Sequence, residues 1–158
     1  MTRKKPHADE PEIHNRKARH NYEILDTLEC GIVLLGSEVK SVRAGRVSLG
    51  EGYVRAQEHP LTLDLHAVRI DLYANAGAVN RSPDSVRKLL AHKREIRKLA
   101  KASDVKGMTI VPLKMYFKEG RIKVLIGLGR GKRSHDKRQS IKEREQKREI
   151  DRAMSKRV

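Results

Sequence analysis

The chain has 158 residues, with 36 Lys and Arg against 20 Asp and Glu, a net charge of +16, and 3% aromatic residues. That length holds one domain with room for tails, and its core must come mainly from Leu, Ile, Val and Ala. One cysteine, Cys30, excludes an internal disulfide and any multi-cysteine metal site, and it fits a reducing compartment.

A charge this large on a small protein attracts polyanions, nucleic acid above all, because each neutralised phosphate releases a counterion. No stretch approaches the ~20 apolar residues of a membrane span, and the N-terminus lacks the apolar run of a secretory signal. A cytoplasmic protein with no membrane association is expected. The positive excess is densest at the end, where residues 129–158 hold twelve Lys and Arg against five acids.

Residues 1–14 are polar, contain Pro6 and Pro11, and carry no periodicity, so a disordered arm is expected there. Tyr22 to Leu28 and Gly31 to Leu35 read as short strands separated by Glu29 and Cys30, with a tight connection or a bulge between them. Ser37 is placed to cap a short helix from Glu38 to Ala44 that closes at Gly45. On that helix Val39 and Val42 face inward and turn Lys40 and Arg43 outward. Tyr53 to Gln57 and Leu61 to Val68 form a hairpin across Glu58, His59 and Pro60. Ala74 to Arg81 reads as a surface loop. Ser82, Pro83 and Asp84 make a strong helix start, and the pattern Val86, Leu89, Leu90, Ile96, Leu99 predicts a helix from Pro83 to about Ala100. The clearest strand pair is Thr109 to Phe117 with Arg121 to Leu128, joined by Lys118, Glu119 and Gly120.

Six short strands and two helices fit a small antiparallel barrel or sandwich better than a parallel sheet, which needs a helical crossover after nearly every strand. From Gly129 the apolar content collapses to Ile141, Ile150, Met154 and Val158. Four such side chains cannot offset the ordering entropy of thirty residues. The segment is nevertheless rich in good helix formers and carries favourable pairs such as Glu143 with Lys147. It reads as a latent helix, disordered when free and helical on a polyanionic surface.

No constellation argues for catalysis. The run Gly127 to Lys132 fails the phosphate-loop pattern and reads as a hinge between core and tail. The seven histidines lack ligand spacing, so no metal and no cofactor are expected. The basic clusters Asn15–His20, Lys40/Arg43, Arg87–Lys88, Lys93–Arg94, Arg97–Lys98 and Lys132–Arg133 exceed what solubility requires, and no DNA-reading motif accompanies them. Structured RNA is the favoured ligand. A ribosomal or ribosome-assembly protein would share these traits, and an RNA-processing enzyme would need a carboxylate set that the sequence does not display.

Several blocks together resemble the SmpB family, the protein partners of transfer-messenger RNA in bacterial trans-translation. They are Asn15-Arg-Lys-Ala-Arg-His20 with Tyr22, Glu29-Cys-Gly31, Gly36-Ser-Glu-Val-Lys-Ser-Val-Arg-Ala-Gly45, Tyr53-Val54, Arg87-Lys-Leu-Leu-Ala-His-Lys-Arg-Glu-Ile96, Val111-Pro-Leu-Lys-Met-Tyr-Phe117 and Gly131-Lys-Arg-Ser-His-Asp-Lys-Arg138. The resemblance implies a closed six-stranded antiparallel barrel of the oligonucleotide-binding type with outer helices. It divides the chain into a disordered arm at 1–14, an RNA-binding barrel at 15–128 and a basic tail at 129–158. It also implies an adaptor that brings the alanylated RNA, with EF-Tu and GTP, to stalled ribosomes, one monomer per RNA. Arg19, Tyr22, Glu29, Lys40, Arg43, Arg87, Leu90, His92, Lys123 and Lys132 are the expected RNA contacts. His135, Asp136, Lys137, Arg138, Ile141 and Lys142 are the expected decoding-centre contacts of the tail. The family commonly has a further Arg where this chain has Ser85-Val86, and a Leu where it has Ala91.

Overall fold

The computed structural model describes residues 10–77, 80–132 and 134–156. In chain order the elements are β1 (Ile13–His14), α1 (Arg16–Asn21), β2 (Tyr22–Ile32), α2 (Gly36–Arg43), β3 (Val47–Ser48), β4 (Tyr53–Gln57) and β5 (Thr62–His66). They continue with β6 (Arg69–Ile70), a 3₁₀ turn (Ala74–Ala76), β7 (Arg87–Leu90), α3 (Lys93–Ser103), β8 (Met108–Lys118), β9 (Arg121–Gly131) and α4 (Ser134–Ser155). The described residues are mainly β: one large antiparallel sheet, a two-stranded accessory sheet of β3 and β6, and four α-helices.

The large sheet is organised by one long hairpin. β8 and β9 pair from Lys118↔Arg121 to Met108↔Arg130, turning at Glu119 and Gly120, whose φ angles of 52° and 77° both lie in the left-handed region. A two-residue turn of that kind matches the twist of its flanking strands. β9 then pairs with β2, β2 with β7, β7 with β5, β5 with β4, and β4 meets β8 at Val54↔Ile110. Alternation decides which residues form the core. Cys30, Val124 and Met115 point inward from three neighbouring strands, as do Leu63, Leu65 and Leu89, and all of these are buried. α3 adds Ile96, Leu99 and Ala100 to the buried set.

Four sequence expectations need correction. β2 is a single strand, not two; its irregularity falls between Ile24 and Asp26, and Glu29 and Cys30 lie within regular pairing to β9. The helix expected from Pro83 begins only at Lys93, because Arg87–Leu90 is a strand between β5 and β2. Local helical spacing lost there to cross-strand pairing that buries Arg87 and Leu89 and exposes Lys88 and Leu90. Gly127 and Gly129, expected in a hinge, are interior positions of β9. A Cβ at Gly127 would sit 2.9 Å from Leu113 Cδ1, and one at Gly129 would sit 3.1 Å from Tyr22 Cβ. They are glycines because neighbouring side chains occupy the space. Ser37 lies inside the first turn of α2, whose end is held by Glu38 Oε1 accepting from the Leu35 N–H at 3.1 Å.

At the N-terminus, Ile13 and His14 pair with Met115 and Lys114, so the last two residues of the expected arm are part of the sheet. Its residues 1–9 lie outside the described residues. Asn15 then fixes α1 to the sheet. Its side-chain oxygen accepts from the Ala18 N–H at 3.1 Å, and its amide donates to the carbonyls of Leu49 and Pro112 at 3.0 and 2.8 Å. Ala18 thereby covers Val111 and Leu113 in a small second cluster.

The most consequential buried polar contact joins α2 to β7. Arg87, 1% exposed, donates to Glu38 Oε2 at 2.5 Å and to the carbonyls of Val68, Ser85 and Pro83 at 2.7, 3.0 and 2.9 Å. Removing one partner strands a buried charge. Arg87→Ala is therefore expected to cost about 3–5 kcal/mol in denaturant unfolding, against at most about 0.5 kcal/mol for the exposed neighbour Lys88→Ala. Equal effects would contradict this assignment.

Candidate nucleic-acid interface

The outer face of the sheet carries a row of side chains set by register. Leu90 of β7 faces Gly31 of β2, Gly31 faces Lys123 of β9, and Lys123 faces Tyr116 of β8. Since Cys30, Val124, Met115 and Leu89 point inward, this row points outward. Glu29, two residues before Gly31, shares the face. At Gly31 the Leu90 side chain takes the space of the missing side chain: a Cβ there would lie 3.3 Å from Leu90 Cβ and 3.5 Å from Leu90 Cδ1. Leu90 lies against Gly31 and is still 50% exposed, an apolar shoulder among charged groups.

Glu29 is held in place before any ligand arrives. The Tyr116 hydroxyl donates to Glu29 Oε2, and Lys118 Nζ donates to Oε1 at 3.1 Å. The hydrogen bond from Tyr116 is the main cause that holds the Glu29 carboxyl below its ordinary pKa, followed by that from Lys118, with Lys123 adding a smaller attraction. Burial and the same Glu29 contact push the Tyr116 hydroxyl upward. The result is a fixed, ionised acceptor on a cationic protein. Phosphate oxygens only accept, so such a group selects for base N–H donors or ribose 2′-hydroxyls. Beneath it Cys30 is buried, and burial pushes its thiol up to about 12, so it is a packing residue.

The other expected contacts fall elsewhere. His92 is exposed immediately before α3, not on a long helix, with its N–H donating to Glu95 Oε2 at 3.0 Å. Lys40 and Arg43 project from α2, their cationic groups 5.1 Å from the Tyr73 ring centroid and 5.5 Å from that of Phe117. Arg87 is not at the surface; its donors are consumed inside, and the expectation of a phosphate contact there is corrected. Arg19 meets Lys132 at a separate locus, where Tyr22 pairs with Gly131. There the Lys132 N–H donates to Asn21 O at 2.9 Å, and its ammonium donates to Arg19 O at 3.2 Å and Ser140 Oγ at 3.0 Å. Lys132 thus ties α1 to the beginning of α4.

On α4, Lys137 is half-buried, and Arg138, Ile141 and Lys142 are exposed. The side chains of His135 and Asp136 lie outside the described residues. Ile150 and Met154 are 59% and 68% exposed, so the helix carries apolar groups that the rest of the chain leaves uncovered. Sequence reasoning missed Tyr116 and Lys118 as partners of Glu29. The alternation of β8 signalled that Tyr116 lies outward, but only the β8–β9–β2 pairing brings it to Glu29. Among the described residues no cluster of His, Cys, Asp and Glu suits a metal ion, and no helix is long and apolar enough to cross a membrane.

The family model described as SmpB protein matches residues 12–156. The chain belongs to the SmpB family. Among relatives, the SsrA-binding protein of Thermosynechococcus vestitus is 52% identical over 144 residues, 90% of this chain and 93% of the relative. That of Leuconostoc mesenteroides is 49% identical over 152 residues, 96% and 97% of the two chains. A chain of the solved structure "tmRNA-SmpB: a journey to the center of the bacterial ribosome" is 45% identical, with a TM-score of 0.65 over 85% of this chain and 95% of that one. The SmpB match spans every element from β1 to α4, so sheet and terminal helix both lie within the family's own length.

The sign of the Glu29 linkage follows from its lowered pKa. The Tyr116 and Lys118 contacts stabilise the fold above the ordinary carboxylate pKa, and that contribution is lost as pH falls through the lowered one. Tyr116→Phe should raise the Glu29 pKa in a carboxyl NMR titration and destabilise the protein more at about pH 7 than at about pH 3. An unchanged titration would show that the hydroxyl does not hold the carboxylate.

Proposed function

We propose that the protein is a non-catalytic RNA-binding adaptor that grips the tRNA-like domain of transfer-messenger RNA and carries it to stalled ribosomes for trans-translation. SmpB-family membership over residues 12–156 supports this reading, and the observation that carries it is the outward row Leu90, Gly31 and Lys123 with Glu29 fixed beside it. A folded RNA elbow offers what that row can take: a base edge or 2′-hydroxyl for Glu29, a stacked base against Leu90, and a phosphate for Lys123. His92 at the start of α3 and Lys40 and Arg43 on α2 extend the grip. The relatives named SsrA-binding proteins and the tmRNA–SmpB structure point to the same ligand and to the ribosome.

The pairings that run from β8 through β4, β5, β7, β2 and β9 and return to β8 support reading the sheet as a closed six-stranded barrel of the oligonucleotide-binding type. The basic tail acts separately. In the free protein α4 has few apolar contacts to hold it, and in the empty mRNA channel RNA phosphates and the channel wall supply them. There His135, Asp136, Lys137, Arg138, Ile141 and Lys142 face the decoding centre. EF-Tu with GTP arrives through the alanylated RNA, and one protein monomer serves each RNA in the cytoplasm. The work done is binding and delivery, with no reaction and no cofactor.

Two measurements test this division. Removing residues 133–158 should leave transfer-messenger RNA affinity nearly intact and abolish tagging on stalled ribosomes; parallel loss of both would refute separate roles. Glu29→Ala and Leu90→Ala should weaken specific binding at high salt more than Lys132→Ala does, because phosphate contacts fade with salt and base contacts persist. Equal, salt-sensitive losses would reduce all three to nonspecific attraction.

A further inference from the structure

The sheet carries a second candidate RNA feature on other strands. Tyr53 of β4 faces His66 of β5, and their rings stack with centroids 5.0 Å apart and planes within 6°. A cross-strand stack of this kind helps hold the two strands together, and here it leaves Tyr53 47% exposed. Tyr53 also borders a concavity of about 580 Å³ between β4 and the C-terminal end of α3, lined further by Arg55, Glu58, Lys101, Ser103 and Asp104. Two cations and two carboxylates cancel there, so the basin is a poor trap for a bare phosphate. A flat ring with hydroxyl, carboxylate and cationic groups around it is suited to a nucleoside, whose base stacks and whose amino and ribose hydroxyl groups donate.

The approach to the basin carries the missing charge. Lys93, Arg94, Arg97 and Lys101 are all exposed on α3, while Ile96, Leu99 and Ala100 are buried. Lys93, Arg97 and Lys101 recur every fourth residue and so line one side of the helix for about 12 Å, ending at the basin.

We propose that the basin between β4 and the end of α3 binds one unpaired nucleotide of an RNA strand, its base stacked on Tyr53 and its flanking phosphates on the cationic side of α3. His66 supports the Tyr53 ring and presents it already oriented. The site rests on the RNA-binding reading but uses neither Glu29 nor Leu90, so the two can fail independently. The strand comes either from the transfer-messenger RNA or from ribosomal RNA; the recognised chemistry, an unpaired base between phosphates, is the same.

The test uses the full chain and a single-stranded RNA pentamer with 2-aminopurine at its centre. Binding should quench the fluorophore by stacking. Tyr53→Ala should weaken the pentamer about tenfold and Tyr53→Phe should restore it, since a base stacks on either ring. Lys101→Glu, on an exposed helical face, should weaken it too and serves as an independent variant. Glu29→Ala should lose the tRNA-like RNA and keep the pentamer; a wild-type chain that quenches the pentamer but ignores the tRNA-like RNA would overturn the proposed function and leave this site standing. Cross-linking with 4-thiouridine in transfer-messenger RNA or in ribosomes then identifies the source by an adduct on the Tyr53 peptide. Unchanged pentamer binding in Tyr53→Ala, or no adduct in either arm, overturns the proposal.

Discussion

The guanidinium of Arg87 is the point to which several parts of the structure are tied. It pairs with Glu38 of α2, itself 4% exposed, and also holds the carbonyls of Val68, Ser85 and Pro83. Glu38 in turn accepts from the Leu35 N–H and lies 3.4 Å from Arg81. One ion pair therefore joins the start of α2, the segment leading into β7 and the turn after β5. A buried pair of this kind contributes little net stability relative to an apolar replacement, but either charge alone is costly. Its role is to make α2 and β7 parts of one body, so that Lys40, Arg43 and Leu90 keep fixed relative positions.

Rigidity matters for the proposed recognition surface, because discrimination there would rest on geometry more than on charge. At +16 any exposed lysine attracts RNA, and attraction of that kind does not tell one RNA from another. Discrimination requires groups that are wrong for phosphate. Glu29 is such a group, kept ionised by Tyr116 and Lys118, and Leu90 is another, kept exposed by the alternation of β7. The tail follows the opposite logic. α4 is cationic, carries Ile150 and Met154 uncovered, and is tied at its start through Lys132 to α1.

Much of the sheet was legible where a strand alternates cleanly and ends in a recognisable turn. The β8–β9 hairpin came from Ile122, Val124 and Ile126 alternating with Arg121, Lys123 and Leu125, and all three of the former are buried. β7 was not legible, since Arg87-Lys-Leu-Leu runs into α3 with spacing that also suits a helix. What decides it is the company of β2 and β5, which are distant in sequence. Two expected strands merge into β2, while β7 and the edge strand β1 were not foreseen, so six expected strands stand against a large sheet of seven among the described residues. The basic pair Arg87-Lys88 shows a further limit: one side chain is buried and the other exposed, and composition cannot say which. Glu29, Leu90 and Lys123 were named from family resemblance alone; register pairing then brought them to one face, with Tyr116 and Lys118 added.

The central claim, that the rigid sheet selects a folded RNA through an outward patch while charge alone binds any RNA, is tested most directly by sequencing the RNA that copurifies with the full chain and with its Glu29→Ala variant. The account predicts one dominant tRNA-like species with the unaltered chain, replaced in the variant by a mixture bound in comparable total amount. A mixture of ribosomal RNA fragments with both would contradict it.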